Sequence, residues 1–335
     1  MNQPVVQILS AHDVHPVLVD VGASWKPPDI WADIKALSQY VGFDPDLREI
    51  HEDRLSGFHR KVMINKAVTC DPAATNVKFH LTASPFCSST LLPNPPALAP
   101  YIYAEEYVIE REAIAEAVTL QAALDQLALT RLDWLKLDTQ GTDLQIFRSL
   151  EERTQAGVLA LDIEPGMTEA YANEDMFGEA HAWLINNGFW LSDLKPCGTI
   201  RIRPATWERV QGSRGQFAID CLFATFKKTP CWCEARYFRT LDWLKDHEAK
   251  KVDYLMLWSF SLLDDQIGFA LDVAVEFDRV FGSDETARFL WDEALRLLER
   301  RRIWLPLESP KESLKLILPK SVKQVIKVML SLLKR

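Results

Sequence analysis

Cysteine is sparse in this sequence, with six in 335 residues. Cys70, Cys87, Cys197, Cys221, Cys231 and Cys233 show no disulfide-framework spacing, and Cys231-Trp232-Cys233 is too close for the usual zinc pair and lacks a second one. We therefore expect reduced thiols in a cytoplasmic protein. Long apolar runs are also missing. Lys or Asp interrupts each before it reaches membrane-spanning length, and no basic patch followed by an apolar run marks a signal peptide at residues 1–6. Positive charge is short as well: 38 Lys and Arg against 47 Asp and Glu leave a formal net charge of −9. That balance argues against a general nucleic-acid binder, whose phosphate contacts need clustered cations. Glycine numbers only 13, and its scarcity matters most after the first expected strand.

What is present is an apolar fraction of 48%, ample for a core, in a chain longer than the usual single domain. Residues 17–23 form a short apolar run ending in Asp20 and Gly22, the pattern of a buried parallel strand. Pro27-Pro28-Asp29 predicts a helix to about residue 40. Further strands are expected at 41–44, 61–69, 77–81, 107–118, 134–138, 158–164, 188–191 and 219–226. Helices are expected at 47–55, 119–127, 143–153 and up to Asn187. Strands alternating with helices imply a doubly wound, mainly parallel sheet covered on both faces. Beyond Lys228 helical spacing dominates, with tryptophans such as Trp243, Trp258 and Trp291 expected in its core. The expected division is an α/β domain at 1–228 and a smaller all-helical region at 229–335. The latter ends in a basic amphipathic stretch, residues 314–330, suited to an anionic membrane surface, to a partner protein, or to packing on its own domain.

Ligands of open α/β sheets bind beyond the carboxyl ends of the strands, near the point where strand order reverses. The polar residues expected there are Asp20 and Gly22, Asp44, Asp138 and Gln140, and Asp162 and Glu164. Gly22 lets a backbone approach closely. Asp44 either accepts from the two hydroxyls of a ribose or simply starts a turn with Pro45. The loop Gly22-Ala23-Ser24-Trp25-Lys26-Pro27 cannot make the three-glycine turn that seats a pyrophosphate on a helix N-terminus. A nicotinamide dinucleotide is thereby excluded, whereas a nucleoside donor without a pyrophosphate is not. His12 and His15 are either metal ligands or part of a polar turn.

Several segments together resemble the FkbM-type methyltransferases. They are Val19-Asp20-Val21-Gly22-Ala23-Ser24, Gly42-Phe43-Asp44-Pro45, Asn65-Lys66-Ala67-Val68 and Cys87-Ser88-Ser89-Thr90-Leu91. The most specific is Asp133-Trp134-Leu135-Lys136-Leu137-Asp138-Thr139-Gln140-Gly141-Thr142-Asp143, followed by Ile163-Glu164 and Asn187-Gly188-Phe189. The resemblance spans residues 17–226 and implies the class I methyltransferase fold. It further implies methyl transfer from S-adenosylmethionine to an oxygen of a small hydroxylated acceptor, such as a saccharide or natural-product precursor. By the same resemblance Asp20, Gly22, Ala23 and Ser24 line the methionine side, Asp44 holds the ribose, and Ala67 and Val68 lie by the adenine. Asp138 and Gln140 fall near the reacting methyl group. A base for the acceptor hydroxyl would come from Asp138, Glu164 or His80; a cation held by Asp138 and Glu164 is a further option. The irregular passage 84–103 is the expected acceptor side. Two residues depart from the family's pattern. Lys26 stands where a second glycine is usual, and Thr142-Asp143 replaces Ala-Glu. The first leaves a second reading open, a non-catalytic donor-binding or scaffold protein with a degenerate donor loop.

Overall fold

The computed structural model describes residues 3–23, 26–46 and 56–303. Its strands are β1 (Val17–Val21), β2 (Gln39–Phe43), β3 (Arg60–Ile64), β4 (Ala67–Thr69), β5 (Asn76–Thr82), β6 (Ile109–Thr119), β7 (Trp134–Leu137), β8 (Ala160–Ile163), β9 (Phe189–Ile200) and β10 (Lys228–Arg239). Its shorter helices are α1 (Gln3–Ala11), α2 (Pro95–Leu98), α3 (Leu120–Gln126), α4 (Asp143–Arg148), α5 (Glu152–Gly157), α6 (Phe177–Asn186), α7 (Pro204–Gln211) and α8 (Gln216–Thr225). The carboxyl-terminal helices are α9 (Leu241–Asp246), α10 (Lys251–Leu263), α11 (Ile267–Phe281) and α12 (Glu285–Ile303).

The central sheet has seven strands in the order β3-β2-β1-β7-β8-β10-β9. The first five run parallel, and β10 wedges antiparallel between β8 and β9. Strand order reverses between β1 and β7, which opens the ligand crevice beyond their carboxyl ends. A smaller sheet, β4-β6-β5, leans beside it. This is the doubly wound, mainly parallel architecture of the class I methyltransferase kind.

Alternation along each strand divides the core in two. One face buries Val19, Val21, Val41, Leu135, Leu137, Leu161 and Tyr237 with apolar residues of α3, α4 and α6. The other buries Leu18, Tyr40, Trp134, Ala160 and Phe238 in one cluster with α1, α10, α11 and α12. The carboxyl-terminal helices are thus a covering layer of the sheet itself. Trp258 is fully buried in that layer, but Trp291 is 41% exposed.

Several expected elements differ. Residues 27–40 make only single turns of 3-10 helix, at Asp29–Trp31 and Lys35–Leu37, because α1 and the carboxyl-terminal helices already cover that face. Trp31 instead packs edge-on against Trp134. The strand expected at 61–69 splits at Asn65, whose amide donates to the Asp44 carbonyl, and its second half joins the smaller sheet. The helix expected at 143–153 breaks where the Ser149 hydroxyl bonds back to the Ile146 carbonyl. Residues 219–225 lie in helix α8, with Phe226 just past its end, and the sheet's last strand is β10, starting where the domain boundary was expected. Its buried residues Cys231, Cys233, Ala235 and Tyr237 carry the two-residue period of a half-covered strand. The expected helix 47–55 and the basic stretch 314–330 lie outside the described residues.

Candidate functional site

Register places two polar rows side by side across the sheet. In the inner row Asp20 of β1 pairs with Lys136 of β7, Lys136 with Asp162 of β8, and Asp162 with Arg236 of β10. The signs alternate along it. Arg236 bonds Asp162 at 2.7 Å and Asp264, after α10, at 2.5 Å, and the Trp134 indole also donates to Asp162. Asp162 is therefore committed to the framework. Asp20 is 1% exposed and accepts from the Tyr40 hydroxyl at 3.0 Å. Burial pushes its carboxyl up, opposed by Lys136 and by that hydroxyl.

Two residues further along the same face comes the outer row, Gly22, Asp138 and Glu164, with Glu234 paired to Lys195 of β9 beyond them. Lys136 joins the rows, with its Nζ 3.6 Å from Asp20 and 3.5 Å from Asp138. Burial works against the ammonium, but the carboxylates of Asp20, Asp138 and Glu164 outweigh it and hold its pKa above the usual lysine range. Glu164 is the converse: burial first, then the Asp138 charge, holds its carboxyl well above the ordinary range despite Lys136. The structure thus brings Asp20, Asp138 and Glu164 to one place. Lys136, which sequence reasoning did not single out as a site residue, lies among them. It was detectable as a lone charge in an apolar strand, two residues before Asp138 and so on the same face.

The loops that hold these groups interlock. Gly22 has φ +83°, and a Cβ there would lie 2.3 Å from the Asp138 carbonyl oxygen, so its close approach is to the second loop's own backbone. Both Gly22 and Ala23 donate their N–H to the Phe43 carbonyl at 3.0 Å, which sets the first loop against the end of β2. After Asp138 the chain turns through Gln140 at φ +56° and Gly141 at φ +115°. A left-handed glutamine costs energy that surrounding bonds must offset. Gln140 Nε2 donates to Asp138 at 2.9 Å, the Tyr171 hydroxyl oxygen lies 3.2 Å from Gln140 Oε1, and the Ser89 hydroxyl donates to the Gln140 carbonyl at 2.7 Å. Asp143 is 2% exposed and accepts from Thr139 N at 2.9 Å, Thr139 Oγ1 at 2.6 Å and Glu164 N at 2.7 Å. It clamps the end of β7 to the end of β8.

Asp44 ends β2 and is 6% exposed. One of its oxygens accepts from Asp46 N at 2.6 Å, so it does start the turn at Pro45. Asn65 ties its carbonyl to the entry of β4, which brings Ala67 and Val68 close by in the chain. Passage 84–103 packs on the loop after β8 through Tyr171, which donates to the Cys87 carbonyl at 2.9 Å. His80 is tied to this wall by its backbone, through Ser89. Its imidazole Nδ1 lies 3.4 Å from Glu112 of β6, so the ring answers to that strand and is not joined to Asp138 or Glu164 by any described contact. Ser24 lies outside the described residues. Lys26 bonds both oxygens of Asp29 at 2.7 Å. His12 bonds Thr286 and His15 bonds the Leu37 carbonyl, which suits a polar turn. Among the described residues no cluster of three or more His, Cys, Asp or Glu is arranged to hold a metal ion, and no helix is long and apolar enough to cross a membrane.

Residues 37–191 match the model of the methyltransferase FkbM domain. The matched segment carries Asp44, Asp138, Gln140, Asp143 and Glu164, and stops short of β10 and the carboxyl-terminal helices. It supports methyl transfer as the chemistry of the chain. No curated protein matches the sequence.

Proposed function

We propose, for a chain whose residues 37–191 match a methyltransferase domain, that the crevice between β1 and β7 binds S-adenosylmethionine and methylates an oxygen of a small hydroxylated acceptor. The observation that carries this reading is the set of acidic side chains Asp20, Asp138 and Glu164, with one ammonium among them, at the point where strand order reverses. An acidic crevice suits a donor that bears both a sulfonium and an ammonium. When bound, the donor supplies a methyl group activated by the positive sulfur. The chain's own work is to hold the acceptor hydroxyl in line, exclude water and receive the hydroxyl proton. Asp138 is the proposed acceptor of that proton, held by Gln140 and Lys136, with Glu164 beside it. Acceptor contacts are assigned to passage 84–103, which borders Gln140 through Ser89. The Lys26 charge is met by Asp29, which offsets the positive charge that it adds to the first loop.

Titration calorimetry with S-adenosylmethionine tests the donor. Heat of binding is expected, and its absence from the folded protein at millimolar donor would sink the proposal. Asp44→Ala should weaken donor affinity about ten- to a hundredfold, the worth of charge-assisted hydrogen bonds to a diol. An unchanged affinity would mean that Asp44 serves only the turn.

Glu164 gives a pH test with a definite sign. Its folded pKa lies above the ordinary 4.5, so between those values the folded state holds the extra proton and stability falls as pH rises. Glu164→Gln removes that loss. The variant should melt higher than the parent in alkaline buffer, with the gap closing in acid below the ordinary glutamate range. Melting curves that stay parallel at every pH would refute the burial of an ionisable Glu164.

A further inference from the structure

Helices α7 and α8 form an arm between β9 and β10, at the carboxyl-terminal edge of the sheet where the candidate site lies. α8 has the sequence Gln216-Phe217-Ala218-Ile219-Asp220-Cys221-Leu222-Phe223-Ala224-Thr225, mostly apolar, yet none of its residues is buried. Phe217 is 83% exposed, and Phe223 and Phe226 are more than a third exposed. The arm nonetheless has a fixed shape. Trp207 of α7 is buried and meets the rings of Phe223 and Phe226 edge-on at 5.9 and 5.8 Å. α7 in turn rests on the turn of 3-10 helix at Ile102–Tyr107. An apolar helix held out into water in this way has the character of a contact surface.

Charge indicates what meets it. Residues 201–228 contain Arg201, Arg203, Arg209, Arg214, Lys227 and Lys228 against only Glu208 and Asp220. All six cations are exposed, and no carboxylate of the described residues pairs with them. A local excess of positive charge in a chain of net −9 is a directed feature. A protein partner could match either property alone. Exposed phenylalanines within a segment rich in exposed cations fit a surface that is apolar beneath and anionic above, which is the layering of an acidic lipid bilayer. We propose that the α7–α8 arm docks the protein on anionic membranes, with Phe217 entering the acyl boundary and the six cations in the headgroup layer. The arm is a different stretch of the sequence from the basic residues 314–330, and its proposed role does not depend on the methyl-transfer reading.

Vesicle flotation of the full-length chain tests the proposal, with phosphatidylcholine alone and with a phosphatidylcholine–phosphatidylserine mixture. The parent should partition to the acidic vesicles, less so in high salt. Phe217→Asp should cut partitioning at least ~10-fold, as expected for losing one buried aromatic anchor. Arg201→Glu with Arg203→Glu and Arg209→Glu should cut it at least ~100-fold. These side chains are exposed, so both variants should keep the parent's melting temperature. Lys323→Glu with Lys327→Glu, in the basic stretch, should leave an arm-dependent component in place. Acidic-vesicle binding that is absent in the parent or unchanged by Phe217→Asp overturns the proposal. So does a parent that dimerises in solution and becomes monomeric on Phe217→Asp without any lipid dependence, which would assign the surface to a second copy of the chain.

Discussion

Asp138→Asn is expected to lower turnover about a hundredfold or more, the usual scale for losing a general base, while the melting temperature should barely move. The carboxylate has two partners, Gln140 Nε2 at 2.9 Å and Lys136 Nζ at 3.5 Å. Asparagine still offers an oxygen to Gln140. The ion pair is long, at 3.5 Å, and Asp138 is 28% exposed, so its loss is expected to cost about 1 kcal/mol. Lys136 keeps Asp20 as counter-charge at 3.6 Å. What asparagine cannot do is take up a proton from an acceptor hydroxyl. A helix-capping role for Asp138 is also ruled out by geometry, since Thr142 N is met by Thr139 Oγ1, and Thr139 in turn by Asp143. Circular dichroism melts beside single-turnover rates check both halves of this expectation. A variant that melts far lower yet turns over normally per folded molecule would make Asp138 a framework residue.

How far such assignments are legible in sequence depends on how local their cause is. β1, β7 and β8 are buried on both faces and read as short apolar runs, so their ends, and with them Asp20, Asp138 and Glu164, could be located. Lys136 was visible but unread, because its role rests on the register of β7 between β1 and β8, which no short stretch of sequence encodes. β10 was missed for another reason. Pro230 and exposed Glu234 broke its apolar run, and its buried alternation makes sense only once β8 and β9 flank it. The 3-10 turns at residues 29–37 escaped because the layer that displaces a full helix there is made by α1 together with α10, α11 and α12 from the far end of the chain. His80 was legible as a polar residue near the site, but only the pairing of β5 with β6 shows its ring beside Glu112.

Asp143→Ala should destabilise the protein more than any change on the rim of the crevice. At the level of sequence Asp143 is an acidic residue in the first turn of a helix, worth a few tenths of a kcal/mol. In the fold its carboxylate is almost wholly buried and accepts from Thr139 N, Thr139 Oγ1 and Glu164 N. Burial pushes its carboxyl up, and those three donors counter the shift. Alanine would leave two backbone N–H groups without acceptors at the junction of β7 and β8, each costing about 1–3 kcal/mol. The sum, roughly 2–6 kcal/mol, is a large part of the 5–15 kcal/mol by which domains are stable. Asparagine retains one acceptor oxygen but turns an amide toward the other donor, so Asp143→Asn should fall between parent and alanine. Urea titration orders the three. Because Glu164 N is held by the same carboxylate, the alanine variant should also lose turnover in the fraction that stays folded, by shifting the Glu164 backbone away from Asp138. If Asp143→Ala unfolds at the parent's urea concentration, the clamp carries little energy, and the interlock of Gly22 with the Asp138 carbonyl is what holds the two loops together.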